Sequence, residues 1–294
     1  MAAAISASMV KDLREKTGAG MMECKKALEQ SGGDFDGAVQ VLRESGAAKA
    51  AKREGRTACE GLVGIAGNGT SAAVVSINCE TDFVARNEDF QKTVQAIANA
   101  ALETKAKDAA ALADVNLPSH GQTVGAVVAE MLAKIGEKIS LGRAGYVEGD
   151  AVATYIHPPG KIGVLVAAKL TGVTNKAAVE ETLRDVAMHI AAIAPAFLTE
   201  ADVDAETIAK EKEIAANIAK NDGKPDAIIP KIVEGAVKKF YKENCLLTQQ
   251  FVKDPKKTIQ NVIDETAKAA GGKVELTKFL RFKAGEVATT TTEA

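Results

Sequence analysis

Apolar positions recur along this chain with two different periods, and the places where the period changes divide it. Over the first fifty residues the spacing is three and four, which predicts helices. Val10, Leu13 and Arg14 define one over 9–17, capped by Ser8 and stopped by Gly18. A second runs from about Gly20 to Gln30 and carries Met21, Met22, Cys24, Ala27 and Leu28. The SGGD at 31–34 breaks it. Asp34 or Asp36 then caps a third, which passes through Val39 and Leu42 to Ser45 and is ended by Gly46. Residues 47–56, AAKAAKREGR, read as an Ala-rich helical linker with solvated basic positions.

Beyond residue 57 the pattern shifts to strands. GLVGIAGNGTSAAVVSINCET is apolar on both sides of a Gly67–Asn68–Gly69 turn, a hairpin signature. A helix from about Asp89 to Leu102 places Phe90, Val94, Ile97 and Ala98 on one face, and another spans 121–135. The order then returns. A strand through 140–157, a Pro-Pro-Gly turn, the buried strand GVLVAAKL and a helix with Val179, Leu183, Val186, Ala187 and Ile190 follow one another. Hairpin-then-helix thus occurs twice, roughly ninety residues apart, which predicts two related α+β lobes. From Pro195 the chain is charged and helical with sparse apolar positions (Val203, Ile208, Ile214, Ile218), and a second helix, IIPKIVEGAVKKFYKEN, follows the Gly-Lys-Pro break. A helix over 258–270, the strand KVELTKFLRF and a Thr-rich tail complete the chain. The expectation is an α+β fold. It comprises a three-helix module with linker (1–56), a first lobe (57–142), a second lobe (143–283) with a helical-hairpin insertion at about 195–228, and a polar tail (284–294).

Composition narrows the function. With 294 residues, 46 % apolar and 26 % charged, the chain has the make-up of a globular protein of about two domains. Its net charge of −2 is spread along the length, whereas a phosphate-neutralising protein shows a basic stripe. KAAKREGR at 49–56 is too short to make one, so nucleic acid is not the expected partner. Four scattered cysteines form no CxxC pair, which argues against a disulfide framework and a zinc knuckle and suits a reducing compartment. The N-terminal residues lack the run of a signal peptide, and no apolar stretch approaches a membrane span, so the expected location is the cytoplasm.

Searches for catalytic constellations come back empty. There is no GxxxxGK[ST], GxGxxG or GxSxG pattern. His120, His157 and His189 lie far apart, with no metal partner at helical spacing. His189 falls on an apolar helix face and reads as a core residue, while His157, before Pro158 and Pro159, reads as exposed. Cys79 has no neighbouring basic group to activate it. Glu80, Asp82, Glu88 and Asp89 cluster, but helix capping accounts for Asp82 and Asp89 without chemistry. No catalytic residue, metal site or cofactor is expected. That leaves a binding protein, a helical scaffold or chaperone-like factor, or an enzyme with an unfamiliar site. In SINCETDFVARN, Phe83 stands where strand gives way to helix; the local pattern alone favours a core aromatic there.

Taken in order, VKDLREKTGAGMMECKKAL, TDFVARN (81–87), HPPGKIGVLVAAK and AMHIAAIAP resemble the elongation factor Ts family from Met9 to about Phe282. The resemblance implies a guanine-nucleotide exchange factor, not an enzyme, whose partner is the GTPase elongation factor Tu and which binds no nucleotide itself. It implies that Thr81, Asp82, Phe83 and Val84 enter a cleft of the partner's GTPase domain, with Phe83 as a wedge on the Mg²⁺ side and Asp82 orienting the turn or touching the partner. Lys11, Arg14, Met21 and Met22 match further contact positions, and His157 a position beside the second lobe's contact surface. Adjacent helical residues point about 100° apart, so at least one of the two methionines is expected to face outward. In some members the helical hairpin serves dimerisation, so a homodimer is a further implication.

Overall fold

A computed structural model describes residues 5–53 and 55–286, the side chains of 46–53 excepted. The polar tail expected from 284 onward therefore lies mostly outside the described residues.

The chain opens with helices α1 (Ala7–Thr17), α2 (Met21–Gln30) and α3 (Phe35–Arg53). Ser6, rather than Ser8, caps α1 by accepting from the Met9 amide. Gly18 ends it in the left-handed region, φ 67°, with its N–H on the Arg14 carbonyl. The Asp34 carboxylate accepts from the Gly37 amide at the start of α3. This third helix does not end at Gly46 but continues to Arg53, because the alanines that follow favour helix strongly enough to carry one glycine. The module's core is thin: Val10, Leu13, Cys24, Ala27, Leu28 and Ala38.

Strands β1 (Glu60–Gly67) and β2 (Ser71–Cys79) form the expected hairpin. At its turn the Asn68 side-chain oxygen accepts from the Thr70 and Ser71 amides. The chain continues through α4 (Asp82–Ala85), α5 (Glu88–Thr104), α6 (Ala109–Ala113), the short strands β3 (Asn116–Leu117) and β4 (Gln122–Thr123), and α7 (Val124–Ile135). The segment 116–123 was expected within or just before a helix; instead it pairs as a two-stranded ladder, and Thr123 caps α7. Gln95 of α5 donates to the Ile65 carbonyl of β1, tying helix to sheet.

The strand expected over 140–157 is two: β5 (Ser140–Glu148) and β6 (Ala151–His157). Between them Asp150 accepts from the Leu170 amide through its carboxylate and donates its own amide to the Ala168 carbonyl, which enforces the corner. Then come β7 (Ile162–Thr171), α8 (Lys176–Ile193), α9 (Ala205–Asn221), α10 (Ile229–Asn244), β8 (Gln250–Phe251), β9 (Asp254–Thr258), α11 (Ile259–Ala269) and β10 (Lys273–Lys283). One three-stranded sheet has the order β1-β2-β5, the other β10-β7-β6. Helices α9 and α10 are the two helices of the hairpin, the second ending at Asn244.

The described residues divide into two compact units: 5–53, 55–66, 75–145 and 282–286 form one, and 67–74 with 146–281 the other. In the second unit, β6 and β7 pair from Ala151↔Ala168 to His157↔Ile162. Val164, Val166, Val179, Leu183, Val186 and Ile190 lie in a core shared with Ile259 and Ile263. The mixed architecture is the α+β fold expected.

Candidate functional site

The strand–helix junction after β2 decides which way Phe83 faces. Helix α4 is a single turn, too short for amphipathic spacing to orient it by itself. Its second half supplies the anchor: Val84 and Ala85 are buried, at 7 % and 4 % exposure. Phe83, on the other side of this turn, is 80 % exposed. Asp82 and Thr81 are half-buried. The aromatic that could have been core is therefore a surface ring, and the aliphatic beside it packs inward.

Two capping assignments change. Asp82 sits in the first turn of α4 and pairs with Arg86 at 2.8 Å, at helical i,i+4 spacing. Helix α5 is capped not by Asp89 but by Asn87, whose side-chain oxygen accepts from the Asp89 and Phe90 amides at 2.9 and 3.1 Å. Both carboxylates instead lie in first turns, where they favour the helix dipole.

The junction is held from behind. Glu137, just past α7, accepts from the Thr81 hydroxyl and the Thr81 amide. Glu80 accepts from the Lys138 amide at 2.6 Å and pairs with Arg56 at 3.2 Å. The Cys79 thiol donates to the Thr81 carbonyl at 3.1 Å. Burial first, and then the carboxylates of Glu137 and Glu60, push that thiol up to about 11. A neutral thiol is a donor and not a nucleophile at neutral pH.

In the three-helix module, α1 and α2 turn Val10, Leu13, Cys24, Ala27 and Leu28 inward. Lys11 and Arg14 are exposed. Both adjacent methionines face out, Met21 at 48 % and Met22 at 64 % exposure. Flexible, polarisable thioethers suit adaptable contacts. Lys11 and Glu15 lie 3.7 Å apart, both well exposed, a geometry that contributes little. Lys11, Arg14, Gly18 and Met21 line one shallow depression together with Lys134 of α7. Lys134 lies so close to Gly18 that a Cβ there would meet its side chain at 2.6 Å. Three cations thus surround Met21, with Glu15 the acid in the lining. A larger depression, about 760 Å³, follows α10 and includes none of the residues named from sequence.

Lys134 and Glu137 were missed by sequence reasoning. They lie more than fifty positions from Thr81 and over a hundred from Gly18, and nothing local in the sequence connects them.

The histidines divide as expected. His157 is exposed at the end of β6, its Nδ1 3.0 Å from the Tyr155 hydroxyl. His189 is fully buried in the second unit. Its Nδ1 accepts from the Val252 amide, so Nε2 carries the proton and donates to Gln249 at 2.9 Å. Burial lowers its pKa and keeps it neutral. Among the described residues no group of three or more His, Cys, Asp or Glu could hold a metal ion. No described helix is long and apolar enough to cross a membrane.

Fold and site together define an α+β protein that presents an exposed aromatic turn and a helical module with methionines and cations on its surface. The model of the family "Elongation factor TS" matches residues 80–286. The elongation factor Ts of Rhizobium meliloti (strain 1021) is 45 % identical over 289 residues, covering 96 % of this chain and 93 % of that protein. That of Rhizobium etli is 47 % identical over the same shares. The chain belongs to the elongation factor Ts family of translation elongation factors.

Proposed function

We propose that this chain is the guanine-nucleotide exchange factor of the GTPase elongation factor Tu, promoting loss of GDP and Mg²⁺ and allowing GTP to rebind. The observation that carries the reading is the outward Phe83, 80 % exposed on a turn whose next two residues are buried. The ring is mostly solvated in the free chain and is available to a cleft on another protein. Complete burial of a Phe side chain contributes on the order of 1.5–3 kcal/mol, which helps offset distortion of a nucleotide site.

In this reading Thr81, Asp82, Phe83 and Val84 form the inserted motif, although Val84 acts from beneath as an anchor. Lys11, Arg14, Met21 and Met22 contact the same GTPase domain, and His157 lies beside a second contact surface. The chain makes and breaks no bond. It binds the nucleotide-free partner best, and by reciprocity weakens GDP by the factor by which GDP weakens it. The same linkage applies to GTP, so the nucleotide in excess sets the direction. The test is release of labelled GDP from the GTPase: catalytic amounts of this protein are expected to accelerate it. An unchanged release rate sinks the proposal.

A second association is favoured by the hairpin, where Ile214 and Ile218 of α9 and Ile228 before α10 are 44–56 % exposed. A homodimer through this face is expected to appear in light scattering at twice the 30.6 kDa chain mass, and a monomer at all concentrations excludes it.

A further inference from the structure

We propose that Glu137 is a positioning residue for exchange, acting through Phe83 by fixing the turn that carries it. The inference rests on the wedge reading above and adds a residue that the TDFVARN motif does not contain. Its basis is the way one carboxylate is used. Glu137 Oε1 lies 2.9 Å and Oε2 3.0 Å from the Thr81 hydroxyl, while Oε2 also accepts from the Thr81 amide at 3.1 Å. Both donors of a single residue thus end on one anion, and hydrogen bonds to a charged acceptor are the strong ones.

Thr81 is the N-cap of α4, yet its hydroxyl makes no capping bond to that helix. It is turned instead to Glu137. The preceding residue reciprocates: Glu80 accepts from the Lys138 amide, and the Lys138 ammonium reaches the Arg56 carbonyl at 2.8 Å. Residues 80–81 and 137–138 are therefore laced in both directions. From below, Cys79 donates to the Thr81 carbonyl. Glu137 owes its own placement to the end of α7, where Gly136 takes φ 83° and returns its N–H to the Leu132 carbonyl. Only a residue that tolerates the left-handed region turns the chain there cheaply.

This lacing surrounds the backbone on the N-terminal side of Phe83, while the ring itself stays 80 % exposed. A clamp serving only the core would be expected to tighten around a buried side chain. Here it tightens around the base of an exposed one, which is the arrangement that spares a binding loop the entropy of being ordered at encounter.

The test is a double-mutant cycle on affinity for the nucleotide-free GTPase, with GDP release measured in parallel. Glu137→Gln keeps the side-chain size, removes the charge and sets an amide against the Thr81 donors. It is expected to weaken binding and slow release about tenfold. In a Phe83→Ala background the same change is expected to cost less than about twofold, because a residue acting through Phe83 has nothing left to position. Amide hydrogen exchange at Thr81–Phe83 of the free protein is expected to accelerate about tenfold or more, with the thermal midpoint little changed. An equal loss in both backgrounds, or no loss from Glu137→Gln in the chain that keeps Phe83, overturns the positioning role. If Phe83→Ala itself binds and exchanges like wild type, the wedge reading fails and the positioning role with it. Loss on Phe83→Ala without loss on Glu137→Gln overturns the positioning role alone.

Discussion

Phe83→Ala is expected to lower the efficiency of GDP release roughly 10- to 100-fold while leaving the unfolding free energy within about 0.5 kcal/mol of wild type. The first figure follows from the area at stake. A Phe side chain moving from water into a protein cleft gains on the order of 1.5–3 kcal/mol, and each 1.4 kcal/mol is about a factor of ten. The second follows from the ring's surroundings in the free chain, where it is 80 % exposed and the buried anchors are its neighbours Val84 and Ala85. The measurement is exchange kinetics at several factor concentrations beside urea unfolding of the same variant. A marked fall in stability would return Phe83 to the core and remove the principal support for the exchange reading.

Phe90→Ala, seven positions along, is expected to do the opposite. Phe90 is 1 % exposed and among the largest fully buried side chains, at the start of α5 just after the Asn87 cap. Removing a buried aromatic leaves a cavity that the surroundings fill only in part, and costs about 3–5 kcal/mol. Urea unfolding should show a lowered midpoint with little change in slope. Protein that remains folded at low temperature should still exchange nucleotide, with GDP release within a few-fold of wild type. A loss below about 1 kcal/mol would mean that the site collapses around the deletion. The pair assigns opposite jobs to two identical side chains on one short segment.

Those two residues also mark how far the sequence could be read. Phe90 belongs to a helix of 17 residues, so its inward direction follows from the recurrence of Val94, Ile97 and Ala98. Phe83 sits on a helix of four, where no periodicity exists; the local pattern favoured an inward core aromatic, and the family resemblance reversed that to an outward ring. The methionines fall between. Helical geometry favoured an outward direction for one of Met21 and Met22, and only packing shows that both face out. Helical spacing and the glycine stops located α1 and α2 to within two residues. Capping chemistry erred in its choice of residue, Ser8 where Ser6 caps α1 and Asp89 where Asn87 caps α5, and a glycine inside an Ala-rich run did not break α3. The division of 140–157 into two strands depends on a hydrogen bond between Asp150 and Leu170, twenty positions apart. Lys134 and Glu137 are the same case at longer range: their meaning lies in what the fold brings beside them.

The fixed backbone beneath an unpacked ring has a consequence for the kinetics of encounter. Reordering a loop takes nanoseconds to microseconds, whereas an exposed side chain changes rotamer in picoseconds to nanoseconds. With Thr81 held by Glu137 and Cys79, the proposed docking of Phe83 leaves only its two side-chain torsions to be frozen within this turn. The search for the docked geometry then reduces to the fastest motion a side chain has. Folding of the turn adds no step of its own to association, and its rate is left to diffusion and to whatever the partner must rearrange.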